Sequence, residues 1–159
     1  RIRLVGLYQI LSMSIDRDVL DKSPLLQNMS NYQRRKAILI SELHEFEKGE
    51  LLVEQDTIGR SMHLILSGEA QVIRRDANAS RLLATLKPGQ VFGEVGYISE
   101  TERTADVVAT EKLSALRFNY ERMEKDLKFF PNIVAKLNLN ISYILGERLA
   151  DMVGNSKNK

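Results

Sequence analysis

The residues from 46 to 118 form short β-prone runs separated by single glycines, and this pattern constrains the fold more than any other feature. β-Branched and other apolar residues fill the runs, and glycine suits the tight turns between them. Many short strands at regular spacing with glycine turns predict an all-β roll or barrel. The runs are FEKGELLV, MHLILSG, EAQVIRR, RLLATL, ADVVAT and KLSALRF, and the glycines are Gly49, Gly59, Gly68, Gly89 and Gly93.

Helical spacing precedes this region. Ser23-Pro24 is typical of a helix cap followed by a proline in the first turn. Ser30 with Gln33 fits a capping box for a helix that runs to about Ser41. Nearer the start, residues at helical spacing predict a further helix: Ile2, Val5, Tyr8 and Leu11.

Helical spacing also follows this region. Pro131 can stand in the first turn of a last helix, and apolar residues then recur at steps of four. They are Ile133, Leu137, Ile141, Leu145 and Leu149. The predicted fold class is therefore α+β, a small antiparallel β jelly roll flanked by N-terminal and C-terminal helices.

Composition excludes several kinds of function. The chain has 159 residues and no cysteine, which rules out thiolate catalysis, iron–sulfur clusters and cysteine zinc sites. His44 and His63 lie far apart in the sequence, so we expect no metal site. A net charge of +2 gives no reason to expect strong electrostatic binding to nucleic acid. No run approaches the roughly 20 apolar residues that would span a bilayer.

The segment FGEVGYISETERTADVVA, residues 92–109, offers the chemistry of a sugar phosphate site. Gly93 and Gly96 let the backbone approach an anion closely, and Arg103 supplies a planar donor fork for two phosphate oxygens. Thr104 adds a hydroxyl and an amide beside it. Glu94 only accepts hydrogen bonds when ionised, so it suits a sugar hydroxyl. Taken alone, the same residues also fit an ordinary strand–turn–strand with a surface ion pair between Glu94 and Arg103.

The whole middle region resembles the cyclic-nucleotide-binding domain found in the catabolite activator protein and in the regulatory subunit of protein kinase A. The resemblance extends from about Ser23 to Met152. The family's glycine-turned strand pair corresponds to MHLILSGEAQVIRR, the strand before its cassette to LLATLKPGQVFGE, and its phosphate-binding cassette to FGEVGYISETERTA. One departure is that Gly96 and Tyr97 stand where an alanine and a leucine are common.

The resemblance implies a role for each matching residue. Glu94 would accept the ribose 2′-hydroxyl, and Arg103 would bind the exocyclic oxygens of the cyclic phosphate. Arg148, on the last helix, falls near the position that closes over the base. The phosphate cradle would be completed by amides near Gly93, Val95, Gly96 and Thr104. The apolar wall of the base pocket would be formed by Val72, Leu83 and Ala84.

The resemblance also implies an organisation and a function. Residues 1–22 would be an N-terminal helical segment or linker from a larger protein, residues 23–153 the cyclic-nucleotide-binding domain, and residues 154–159 a frayed tail. The ligand would be cyclic AMP or cyclic GMP, with no cofactor and no catalysis. Binding would move the last helix as a unit and so regulate an attached or associated effector domain. We expect a cytoplasmic location, either free or as the cytoplasmic domain of a membrane protein.

Alternatives remain at this stage. The chain is also consistent with the sensor half of a truncated transcription factor, or with a ligand-free interaction module on the same roll. No direct binding of nucleic acid by this chain is expected. The apolar stripe of the last helix is a candidate homodimer seam as well as a candidate part of the core.

Overall fold

Short strands in two antiparallel sheets make up the middle of the chain. The computed structural model describes residues 2–3 and 17–156, with side chains described for residues 17–154. The first sheet has the order β1-β2-β9-β4-β7 and the second has the order β3-β8-β5-β6. Their bounds are Ile2–Arg3 (β1), Glu42–Phe46 (β2), Leu51–Val53 (β3), Ser61–Ser67 (β4), Ala70–Asp76 (β5), Ala79–Leu86 (β6), Val91–Phe92 (β7), Asp106–Ala109 (β8) and Leu113–Asn119 (β9).

Helices flank the sheets on both sides in sequence, which confirms the predicted α+β roll. The α-helices are Arg17–Lys22 (α1), Asn31–Ile40 (α2), Glu94–Ser99 (α3), Tyr120–Asp126 (α4) and Pro131–Ser156 (α5), and a 3₁₀ helix spans Pro24–Leu26. Within the described part of the chain, none of these helices has both the length and the hydropathy to cross a membrane.

The predicted helix caps are confirmed. The Ser30 hydroxyl accepts a hydrogen bond from the Gln33 amide at 3.2 Å, and the Gln33 side chain accepts one from the Ser30 amide at 2.9 Å. This reciprocal pair is a capping box at the start of α2. Ser23 caps the 3₁₀ helix through its hydroxyl, which accepts from the Leu25 amide at 3.3 Å, with Pro24 at the first position.

The start of the chain departs from the predicted helix. Ile2 and Arg3 form β1 and pair with His44 and Leu43 of β2. An edge strand gains ladder hydrogen bonds from its neighbour, and helical spacing of apolar residues does not exclude that pairing. The other residues of the predicted helix, Val5, Tyr8 and Leu11, lie outside the described residues.

Two apolar cores lie on opposite faces of the first sheet. On one face, side chains such as Met62, Leu64 and Phe118 form a buried cluster to which each of these helices, including the 3₁₀ helix and α3, contributes at least one residue. On the other face, Ile65, Phe92 and Ala115 pack against the second sheet. Strand β4 is buried on both faces for this reason, and its six residues 61–66 form a continuous buried run.

The stripe on the last helix belongs mainly to the core. Ile133, Leu137 and Ile141 are each at most 2% exposed, and Leu145 packs against the same cluster while partly buried. Leu149 is 62% exposed. The first four positions of the stripe therefore serve the roll, and they are not available as a dimer seam.

His63 is buried inside the roll without a hydrogen-bond partner for its Nδ1 atom. Its ring stacks on Phe92, with centroids 4.8 Å apart and planes 5° apart. Burial lowers the pKa of His63 to about 3, and the neighbouring charges of His44, Arg117 and Arg103 act in the same direction. His63 is therefore neutral in the folded protein at physiological pH.

This burial predicts a loss of stability on acidification. Because the folded pKa is depressed, the stabilisation is present above the unfolded pKa of 6.5 and is lost as pH falls toward about 3. Between pH 7 and pH 5 the parent should lose about 2 kcal/mol of unfolding free energy more than His63→Phe does. Urea unfolding at the two pH values measures this difference. Equal losses in the parent and the variant would contradict the prediction. The titration of His44 affects both proteins, so it cancels in the comparison.

Candidate ligand-binding site

Gly93 allows the chain to turn from β7 into α3. It caps α3 with φ +81°, a left-handed conformation that favours glycine. A Cβ atom there would lie 2.8 Å from the Ser61 carbonyl oxygen and 2.9 Å from Nη1 of Arg103. The turn and the close packing of the cassette on β4 both depend on this glycine.

Arg103 lies in the loop between α3 and β8, and it is buried to 7% exposure. Its Nη1 donates to the Gly93 carbonyl at 2.8 Å, and its Nη2 donates to the Ser61 carbonyl at 2.6 Å. The Arg103 backbone is also held, since its amide donates to the Thr57 carbonyl at 2.8 Å. A guanidinium has five N–H donors, so this arrangement fixes the fork and leaves donors for a further acceptor.

Opposing effects act on the pKa of Arg103. Burial lowers its pKa most, the negative charge of Glu94 raises it, and the positive charge of Arg117 lowers it. Arginine nevertheless remains charged at any physiological pH. The site therefore presents a buried, oriented cation with a carboxylate in its neighbourhood.

Glu94 begins α3 and is only 3% exposed. Its Oε1 accepts a hydrogen bond from Nη1 of Arg148, which reaches it from α5. Nη2 of Arg148 donates to the Val91 carbonyl. The resemblance implies that Arg148 closes over a base, and this role stays a prediction; in the structure Arg148 contacts Glu94 and the backbone of β7.

Gly96 lies directly against the Arg103 side chain. A Cβ atom at this position would be 2.7 Å from Nη1 and 3.0 Å from Cζ of Arg103, and 3.0 Å from the Gly59 carbonyl oxygen. The guanidinium thus occupies the space that an alanine methyl would take. In this structure an alanine at position 96 would therefore require the guanidinium to shift.

Tyr97 fills the other unusual cassette position. It is 3% exposed, and its ring meets that of Tyr120 edge to face with centroids 5.3 Å apart. Burial raises the pKa of its hydroxyl, so the side chain stays neutral. Tyr97 therefore joins α3 to α4 through packing.

Arg60 reinforces the same junction, and sequence reasoning missed it. Its Cζ lies 3.3 Å from the Tyr120 ring centroid, which is a cation–π contact. Its Nε donates to the Tyr97 carbonyl at 3.4 Å, and its Nη1 is 3.7 Å from a carboxylate oxygen of Glu100. No local sequence signal marks these contacts, because they join residues far apart in the chain.

The predicted base wall lies on the second sheet. Val72 of β5 pairs with Ala84 of β6, and a bulge places the extra residue Leu83 next to this pair. The inner face here is continued by Ala70 and Leu86, which belong to the core between the sheets. Leu83 is 47% exposed. The three residues are thus neighbours on the sheet, and their role as a base wall stays a prediction.

The remaining predicted cradle residues border Arg103 or α3. Val95 lies in the first turn of α3 and is 45% exposed, and Thr104 follows Arg103 in an exposed position. Both are accessible to a ligand. Their roles as amide donors stay a prediction.

Comparisons with known proteins agree on one family. The family profile described as "Cyclic nucleotide-binding domain" matches residues 43–128. The cAMP-dependent protein kinase regulatory subunit of Eremothecium gossypii is 36% identical over 96 residues, which are 60% of this chain and 20% of that protein. The Cyclic AMP receptor protein of Thermus thermophilus is 29% identical over 119 residues, which are 72% of this chain and 55% of that protein.

Solved structures share the fold. The catabolite activator protein of Thermus thermophilus superposes with a TM-score of 0.75 at 25% identity, over 85% of this chain and 62% of that one. A cyclic nucleotide-binding domain from Methylobacillus flagellatus gives a TM-score of 0.76 at 21% identity, over 84% and 76% of the two chains. The chain spans only about a fifth of the length of the kinase regulatory subunits that it matches.

The contact between Gly96 and Arg103 predicts a coupling between the two positions. Gly96→Ala should destabilise the parent by about 1 kcal/mol, because the methyl displaces a guanidinium that two carbonyls hold. In an Arg103→Ala background the same substitution should be neutral or stabilising, because alanine is the better helix former. Urea unfolding of the double-mutant cycle measures the coupling.

Gly59→Ala is the matched control for this cycle. Its Cβ atom would lie 3.5 Å from Nη2 of Arg103, an ordinary contact distance. It should therefore show little coupling to Arg103→Ala. If Gly96→Ala has the same effect in both backgrounds, Arg103 does not require a glycine there.

Proposed function

The chain belongs to the cyclic nucleotide-binding domain family, and on that premise we propose that it binds a cyclic purine nucleotide, with cyclic AMP as the first candidate and cyclic GMP next. The observation that supports this best is the pair of buried charges beside α3. Arg103 and Glu94 are both less than 10% exposed, and one suits a phosphate and the other a sugar hydroxyl.

Each part of the ligand has a proposed partner. The cyclic phosphate would contact the free donors of Arg103 and the amides near Gly93, Val95, Gly96 and Thr104. The ribose 2′-hydroxyl would donate to Glu94. The base would pack against the wall formed by Val72, Leu83 and Ala84, and Thr104 is exposed enough to reach the 2-amino group of a guanine.

We assign the chain a regulatory role as a sensor, and no catalysis. Relatives with related domains are named as kinase regulatory subunits and as a cyclic AMP receptor. The proposed partner is an attached or associated effector, and the proposed location is the cytoplasm. Of the two alternatives, a ligand-free module would bind no nucleotide, which the experiments below test. The sensor half of a truncated transcription factor would bind the nucleotide as well, so these experiments do not separate it from the proposed sensor.

Dimerisation through α5 is a separate proposal, and it rests on exposed residues of the helix, of which only Leu149 belongs to the predicted stripe. Apolar side chains that are more than half exposed lie along this helix: Leu139, Tyr143, Leu149, Met152 and Val153. Such a face suits a second copy of the same helix or an effector. Sedimentation equilibrium at several protein concentrations tests for the homodimer.

Loss of the Arg103 guanidinium should abolish tight binding. Arg103→Ala should weaken binding of cyclic AMP by about 2–5 kcal/mol, the cost of removing one partner of a buried charged pair. Calorimetric titration measures this loss, and linear AMP should bind the parent more weakly than cyclic AMP. Arg103→Lys keeps the charge without the planar fork and should recover only part of the loss.

The stability of the variants serves as a control for this experiment. Arg103→Ala removes the side-chain donor to the Ser61 and Gly93 carbonyls, so its unfolding must be measured without ligand. If a folded Arg103→Ala protein binds cyclic AMP as tightly as the parent, the phosphate assignment is wrong. If the parent binds neither cyclic AMP nor cyclic GMP, the ligand-free module is the better reading.

The effects on binding of removing the Glu94 charge and of removing the ribose 2′-hydroxyl should not be additive. Glu94→Gln should weaken cyclic AMP binding by roughly 1.5–3 kcal/mol, the range for a hydrogen bond to a charged group. The 2′-deoxy analogue should bind the variant almost as well as cyclic AMP does, because both changes remove the same contact. Additive losses in this cycle would argue against the ribose role.

A further inference from the structure

Helix α5 has two parts that differ in how they contact the roll. In residues 131–145, Ile133, Leu137, Ile141 and Ile144 are buried. In residues 146–154, Arg148 is the only residue that is not exposed. The second part therefore exposes most of its surface, and the Arg148 guanidinium attaches it to Glu94 and to the backbone of β7.

The first part is anchored by polar contacts as well as by packing. The buried Asn140 side chain donates to the Leu25 carbonyl at 2.8 Å and to the Gln27 carbonyl at 2.9 Å. Lys136 donates to the Asn28 carbonyl at 2.6 Å. Movement of the whole helix would break these bonds and expose the core, so these anchors favour movement of the second part alone.

Gly146 stands between the two parts. A Cβ atom there would have nothing within 4 Å, so no close approach requires a glycine. Glycine is nevertheless the least favourable residue in a helix interior apart from proline. The helix is thus weakened at a point just before Arg148, where packing does not demand it.

Arg148 occupies the acceptor that the ribose would need. Its guanidinium donates to Oε1 of Glu94, a carboxylate with almost no exposed surface. Its second contact is to the Val91 carbonyl, next to the same turn. A carboxylate can accept several hydrogen bonds, so the competition is one of access: while Arg148 contacts Glu94, that carboxylate leaves almost no surface for a ribose hydroxyl to reach.

We propose that Arg148 is an internal competitor of the ligand, a latch that holds the second part of α5 on the site and must release Glu94 before the nucleotide ribose can bind there. This inference rests on the proposed function. Gly146 is the joint at which the helix bends when the latch opens. Once released, Arg148 is free to move toward the base, where the sequence resemblance puts it.

The latch has a kinetic signature that separates it from a lid. If only the unlatched fraction binds, the apparent affinity and association rate fall by that fraction. A lid acts on the bound state and changes dissociation. Arg148→Ala should therefore speed association about tenfold. This is the change in the latching equilibrium that the loss of one of the weaker hydrogen bonds to a charged group would produce. Loss of a positive charge near an anion site would by itself slow association, so an increase is diagnostic.

Stopped-flow mixing with an 8-substituted fluorescent cyclic AMP, whose ribose is unmodified, measures both rate constants. The control is Glu147→Ala, which truncates an exposed neighbour on the same helix and should leave association within about twofold of the parent. If Arg148→Ala associates at the parental rate or more slowly, the latch is refuted while nucleotide binding stands. If the parent does not bind the nucleotide, the proposed function itself fails.

A matched glycine pair tests the joint. Gly146→Ala should slow association about fivefold, the factor by which alanine is preferred to glycine inside a helix. Gly154→Ala lies in the same helix and also has open space around its Cβ atom, so it gains similar helix propensity without changing association. Equal effects of the two substitutions would refute Gly146 as the joint.

Discussion

Arg103 is only 7% exposed, so its guanidinium needs hydrogen-bond acceptors inside the protein, and they lie on two separate elements. The Ser61 carbonyl belongs to β4, and the Gly93 carbonyl belongs to the turn that starts α3. The side chain therefore links the sheet to the short helix that the ligand would contact. Its position also bears on two glycines: a Cβ atom at Gly93 or at Gly96 would lie within 3 Å of Nη1, so a side chain at either position would displace the guanidinium.

The sequence was informative wherever a few neighbouring residues determine the structure. The capping box of Ser30 and Gln33 closes within one turn, so its residues alone predict the start of α2. The glycine-punctuated runs likewise predicted the strands and the short cassette. The wall pair Val72 and Ala84 followed from the resemblance, because neighbouring strands of a hairpin keep their register.

Contacts between distant residues were beyond prediction from spacing. The apolar steps of four on α5 continue to Leu149, yet the core ends near Leu145. Periodicity identifies the face of a helix that can be buried, and the extent of the opposing surface decides how much of it is buried. The pairing of Arg148 with Glu94 is a similar case. The two residues are 54 positions apart in the sequence, and they meet only because α5 passes close to the end of β7.

Glu94 is the point at which binding and signalling would use the same atoms. The ribose and Arg148 would both use the Glu94 carboxylate. A latch that favours the latched state of α5 by a given factor must therefore lower the apparent ligand affinity by the same factor. The contact to the Val91 carbonyl is part of the same latch, because release of Arg148 must break it as well. The second part of α5 could then shift by a bend at Gly146 while the buried first part, anchored by Asn140, stays in place. A sensor built in this way needs no rearrangement of its core to change the position of an exposed helical arm.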